Sequence, residues 1–71
     1  MTPIAIRTAA IELQKFLKLA GAADSGGEAK QAITSGAVTV NGACEKRRGC
    51  QLRPGDIVVF AGRSYRVEAA A

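Results

Sequence analysis

The stretch from Leu13 to Gly42 constrains this chain more than any other. It reads in order as helix, break, capped helix, glycine stop, short strand and tight turn. Leu13, Phe16, Leu17 and Ala20 recur at i, i+3, i+4 and i+7, so they share one helix face. At about 100° per residue, Lys15 and Lys18 fall on the opposite face. Gly21 is a stop. Ser25 as N-cap, with Glu28 three residues on, has the form of a capping box. Ala29, Ala32 and Ile33 give the second helix its buried face, and Gly36 ends it. The small side chains of Ala20, Ala29 and Ala32 let the two helices approach closely. Val38-Thr39-Val40 then alternates, and Asn41-Gly42 is the dipeptide of a type I′ hairpin turn.

The flanking segments are shorter and weaker. Ile4-Ala5-Ile6-Arg7 alternates as a short edge strand, with Pro3 at its start. Thr8 to Ile11 leads into the first helix, and Glu12 suits the positive end of its dipole. The hairpin returns through Ala43 to Lys46, with Val38 and Val40 facing the core. Cys50 to Leu52 is a brief extended piece. Arg53-Pro54-Gly55-Asp56 has the residues of a type II turn. Ile57 to Phe60 is continuously apolar and bounded by turns, the pattern of a strand buried on both faces. Gly62-Arg63 fits a type II′ turn, after which Ser64 to Glu68 alternates with Tyr65 and Val67 inward. The alanine tail is expected to fray. The expected fold is α+β: two packed helices against a small curved antiparallel sheet of four to five strands, with residues 1–71 forming a single domain.

Size and charge narrow the function. A chain of 71 residues buries only about 60% of its unfolded surface, which leaves little room for a roofed active site. No run is long enough to span a membrane, and the N-terminus lacks the pattern of a signal peptide, so the expected location is cytoplasmic. Ten Lys and Arg face six Asp and Glu, with no histidine, for a net charge of +4. That imbalance favours a polyanionic partner, although a modest positive charge also serves solubility alone. Cys44 and Cys50 cannot complete a zinc site without histidine, and they read as reduced thiols filling space. With no histidine, no paired carboxylates in a motif and no metal set, no catalytic residue and no cofactor are assigned. Asp24 and Glu28 lie near one helix start, where capping explains both. Gly26 and Gly27 open the second helix. They either leave backbone N–H groups free for an anion or allow close helix packing.

The ordered set Leu13-Gln14-Lys15-Phe16-Leu17-Lys18-Leu19-Ala20, Ser25, Ala29, Lys30, Ala32, Ile33, Gly36, Val38, Val40-Asn41-Gly42 and Leu52-Arg53-Pro54-Gly55-Asp56 resembles the RNA-binding domain first known from a small-subunit ribosomal protein, here the S-four domain. The motif covers about residues 12–61. The chain most resembles the small stand-alone bacterial YbcJ-like members, in its Ser-Gly helix start, its Arg-rich loop, a cysteine matching Cys50 and its Phe-Ala-Gly turn. The resemblance implies a helix-loop-helix-hairpin (alpha-L) surface that grips structured RNA, often ribosomal or transfer RNA, without catalysis; the expected partners are such RNA and ribosomal subunits, and the expected state is a monomer. One departure matters. Many members of the wider family place an RNA-contacting arginine directly after the capping serine; this chain has Gly26, and Lys30 follows one turn later.

The candidate RNA contacts are Lys15, Lys18, Ser25, Lys30, Lys46, Arg47, Arg48 and Arg53. Lys46-Arg47-Arg48 is the densest charge, and arginine can bond phosphate bidentately or stack on a base. As solvated surface residues the same side chains would look alike in sequence. Phe16, Phe60 and Tyr65 read as core, so no base-stacking platform is expected, and recognition of shape and backbone fits better. The competing role is a protein-interaction adaptor that kept the fold and lost RNA binding, for which Gly26 is the argument.

Overall fold

A computed structural model describes residues 1–70. The elements run β1 (Thr2–Ile6), β2 (Ile11–Glu12), α1 (Leu13–Leu19), α2 (Gly26–Thr34), β3 (Val38–Val40), β4 (Ala43–Cys44), β5 (Gln51–Leu52), β6 (Ile57–Phe60) and β7 (Arg63–Ala69). The main sheet has five strands in the order β1-β7-β6-β3-β4, and β2 pairs with β5 in a second, two-stranded sheet.

Both helices form as their sequence patterns require. Leu13, Phe16 and Leu17 of α1 and Ala29, Ala32 and Ile33 of α2 are buried, while Ala20 is half-buried. The Ser25 hydroxyl accepts the Glu28 N–H at 3.1 Å. No return bond from the Glu28 side chain completes the box among the described residues. Each helix ends in a Schellman motif. Gly21 N–H donates to Lys18 and Ala22 N–H to Leu17; Gly36 N–H donates to Ile33 and Ala37 N–H to Ala32. At Gly36 the need for glycine is double: its φ is +82°, and a Cβ there would lie 3.2 Å from Lys46 Cε.

The α+β architecture is as expected, but the sheet is mixed rather than antiparallel. Strand β1 runs parallel to β7, pairing Thr2 with Tyr65 through Ile6 with Ala69. Hairpin signals in sequence specify antiparallel neighbours only; β1 and β7 come from opposite ends of the chain, and no turn sets their direction. Four further corrections follow. Ile11 and Glu12 form β2 instead of leading into α1. The return strand of the first hairpin stops at Cys44. The second hairpin turns on Ala61-Gly62, with φ of +54° and +76°, so Phe60 pairs with Arg63 and the expected Gly62-Arg63 turn is displaced by one residue. In β6 only Val58 is fully buried; Ile57 and Val59 alternate onto the opposite face and are half-covered, and Phe60, on the Val58 face, is half-covered where it lines the open groove beside α2. The tail is also more ordered than expected: Ala69 belongs to β7, and Ala70 N–H donates to Ile6 O at 2.8 Å. Ala71 lies outside the described residues.

The core joins helix to sheet. Phe16 meets Tyr65 edge-on, with ring centroids 6.4 Å apart and planes at 83°. Val38, Val58, Val67 and Leu52 complete the contact.

Two turns are tied to each other. Asn41 has φ +53° and Gly42 +85°, the type I′ geometry. Gly55 at φ +100° and the Asp56 N–H to Arg53 O bond of 3.0 Å make the expected type II turn. The Asn41 side chain accepts from Ile57 N–H at 2.8 Å and donates to Asp56 Oδ1 at 3.1 Å, while Asp56 Oδ2 accepts from Arg53 N–H at 2.8 Å. Asn41→Gly keeps the positive φ but removes both side-chain bonds. Denaturant unfolding is expected to show a loss of about 1–2 kcal/mol, a small sum because the bonds are exposed. Wild-type stability in that variant would contradict the clamp.

Candidate nucleic-acid interface

The loop between β4 and β5, residues 45–50, has no regular structure, yet backbone bonds fix both of its ends. Glu45 N–H donates to Val38 O at 3.0 Å. At the other end, Gln14 N–H donates to Arg48 O at 3.1 Å and Leu13 N–H to Cys50 O at 2.8 Å. These bonds solve a local problem. Helix α1 starts at Glu12, which provides no side-chain cap, and its first turn carries no acid. Glu12 instead accepts from Gln14 Nε2 at 2.9 Å. The orphan N–H groups of the first turn take loop carbonyls as partners. The arginine-bearing loop is therefore part of the end of α1.

The same loop reaches α2. The Lys46 stem lies against Gly36 at the helix C-terminus, where α2 has no basic residue of its own in its last turn. A lysine there complements the negative end of the helix dipole.

All eight predicted contacts are exposed: Lys15, Lys18, Ser25, Lys30, Lys46, Arg47, Arg48 and Arg53. The structure joins some of them. Arg48, Lys46 and Lys15 belong to the loop and to the helix ends it touches. Lys18 and Ser25 flank the connection between α1 and α2. Lys30 lies along α2, and Arg53 opens the Pro-Gly turn after β5; no hydrogen bond links either of them to the loop among the described residues. The Ser25 hydroxyl oxygen is engaged as a cap.

Arg47 does not stand free. Its Nε and Nη2 donate to Glu45 at 3.0 and 3.2 Å, and its backbone N–H donates to the same carboxylate at 3.1 Å. The only other ion pair among the described residues is Arg66 with Glu68, on β7. Lys15, Lys18, Lys30, Lys46, Arg48 and Arg53 make no ion pair with a described acid. Sequence reasoning missed Glu45, although an acid two residues before Arg47 was a visible signal. It also missed the carbonyls of Arg48 and Cys50, for which residue types carry no signal.

The alternatives left open at Gly26 and Gly27 can be separated in part. A Cβ on Gly26 would meet nothing within 4 Å, and one on Gly27 only Ser25 Oγ at 3.9 Å, so close helix packing does not require either glycine. Both cysteines are free thiols. Cys50 is half-buried against the core, but Cys44 is exposed, with its Sγ 3.6 Å from Gly36 O, and fills no interior space. An open groove between α2 and β6, lined by Glu28, Gln31, Ala32, Thr34 and Phe60 among others, carries no Lys or Arg. Among the described residues no cluster of three or more His, Cys, Asp or Glu could hold a metal, and no helix is long and apolar enough to cross a membrane.

The family described as the S4 domain matches residues 4–68. The chain belongs to the S4 domain family. YbcJ of Escherichia coli K12 is 48% identical over 59 residues, which cover 83% of this chain and 84% of that protein. RlbA of Bacillus subtilis 168, named a probable ribosome maturation protein, is 45% identical over 60 residues, 84% of each chain. The solution structure of E. coli YbcJ, described as revealing an alpha-L motif involved in RNA binding, superposes with a TM-score of 0.75 at 41% identity, covering 97% of this chain and 89% of that one. The 30S ribosomal protein S4e of Thermoplasma acidophilum shares the fold, with a TM-score of 0.65 at 23% identity over 84% of this chain and 32% of that one.

Within this S4 domain the Glu45 carboxyl is held down to about 2, first by the Arg47 guanidinium, then by the Arg47 N–H and then by the Cys50 thiol. Burial, and after it the bond to Glu45, pushes the Cys50 thiol up, so it remains a donor. The folded carboxyl lies below its ordinary 4.5, so its contribution is complete above that pH and fades as pH falls from 4.5 toward 2. An NMR titration of the Glu45 side chain is expected to centre near 2 and to move up toward 4.5 in Arg47→Ala. A wild-type midpoint already at 4.5 would show that the pair does not form.

Proposed function

We propose that this S4 domain is a non-catalytic RNA-binding module that takes structured RNA, ribosomal or transfer, on the surface made by α1, α2 and the loop after β4. The observation that carries this reading is the loop itself. Backbone bonds hold Arg48 at the first turn of α1, and the Lys46 stem lies at the last turn of α2. Lys15, Lys18 and Lys30 on the helices and Lys46 and Arg48 in the loop are exposed and lack a described acidic partner. The relatives support the same reading: YbcJ carries an alpha-L motif involved in RNA binding, and RlbA is a probable ribosome maturation protein.

The physical mechanism is phosphate neutralisation. Each contacted phosphate releases condensed counterions, and positioned cations provide register without reading bases. The aromatic residues fit this. Phe16 and Tyr65 are buried against each other, so neither can stack on a base. Shape and backbone geometry remain as the means of recognition. A monomer suffices for this mechanism, since every invoked cation belongs to one chain. The adaptor reading draws on Gly26 and on the neutralised Arg47. It would put the contact in the groove between α2 and β6, which has no cation.

With about four to six cations on phosphate, the logarithm of the association constant for transfer RNA is expected to fall against the logarithm of salt concentration with a slope of roughly −3 to −5. Fluorescence polarisation across a salt series measures this. A flat response would overturn the proposal and favour the adaptor.

A further inference from the structure

We infer that Glu45, an acid within the most basic segment of the chain, is a positioning residue for RNA binding: it holds Arg47 as a structural cation so that Arg48 meets α1 and is presented to the ligand. This rests on the RNA-binding reading above. The observations form one continuous relay. Glu45 N–H is anchored on Val38 O in β3. The Glu45 carboxylate accepts from the Arg47 backbone N–H and from Nε and Nη2 of its guanidinium, and its side chain is only 17% exposed where that of Arg47 is 80% exposed. Arg47 O accepts from Cys50 N–H at 3.2 Å, closing the turn through Arg48 and Gly49. Arg48 O and Cys50 O then accept from the first turn of α1. Hydrogen bonds pin the segment from β3 to α1 at each of these points, and the Glu45 carboxylate is the one side-chain acceptor among them.

The two neighbouring arginines therefore differ in role. Arg47 shapes the loop; Arg48, unpaired and exposed, meets the ligand. Charge alone predicts the opposite effect for Glu45. Removing an acid raises the net charge, and simple counterion release would then tighten binding and steepen its salt dependence. Positioning predicts weaker binding, because a flexible loop must be ordered when RNA arrives.

The test is Glu45→Gln in the full chain, with transfer RNA as the probe. The variant is expected to bind about tenfold more weakly than wild type, the scale of one lost charge-assisted hydrogen bond. Its Gln14 amide should exchange faster with solvent, by more than any fall in global stability accounts for. The same change in an Arg47→Ala background is expected to weaken binding much less than it does in wild type, because the guanidinium that Glu45 holds is gone and only the backbone N–H of residue 47 and the Cys50 thiol remain for it. Equal or tighter binding by Glu45→Gln alone would overturn the inference and leave the RNA reading intact. A wild type that shows no salt-dependent binding would overturn the RNA reading and this inference with it. An additive loss in the double variant would show that Glu45 does not act through Arg47.

Discussion

The first turn of α1 has backbone donors and no side-chain cap, and the loop after β4 supplies the missing acceptors. A helix of seven residues is marginal by itself, so it needs tertiary partners at its end as well as along its face. Leu13 and Gln14 obtain theirs from Cys50 and Arg48. Helix and loop stabilise each other: the loop has no regular pairing of its own, and the helix has no cap of its own. The most basic segment of the chain is thereby attached to the helix that carries Lys15 and Lys18.

The fixed loop needs a fixed platform. Asn41 and Asp56 provide one by joining the hairpin turn to the turn before β6, through bonds to Ile57 N–H and Arg53 N–H. Val40-Asn41-Gly42 and Pro54-Gly55-Asp56 are far apart in sequence but are two halves of one contact. The Asn side chain suits this position for two reasons. It tolerates a positive φ, and it carries both a donor and an acceptor. Phe16 against Tyr65 ties α1 to β7 of the mixed sheet.

Much of this was legible in the sequence because local rules act locally. Helical spacing located α1 and α2, Ser25 the start of the second, Gly21 and Gly36 the stops, and Asn41-Gly42 the hairpin. Contacts between distant segments carried no such mark. The parallel pairing of β1 with β7 and the pairing of Ile11 with Leu52 join segments with no turn between them. The turn at Ala61-Gly62 was misplaced because Ala61 at positive φ breaks the usual preference, and the closing register overrides it. At the site, residue type showed which side chains are cationic and exposed. It could not show that Arg47 is paired, because an ion pair depends on where the loop folds, and the main-chain carbonyls that fold it belong to any residue.

The surface proposed to meet the ligand is the one made by α1, α2 and the loop after β4. The most direct test follows backbone amide shifts of the isotope-labelled full chain as a ribosomal RNA hairpin is added. The predicted result is perturbation centred on Lys15, Lys18, Gly26, Lys30, Lys46 to Arg48 and Arg53. Perturbation confined to the β1–β7 edge or to the groove between α2 and β6, with the loop amides unmoved, would contradict it.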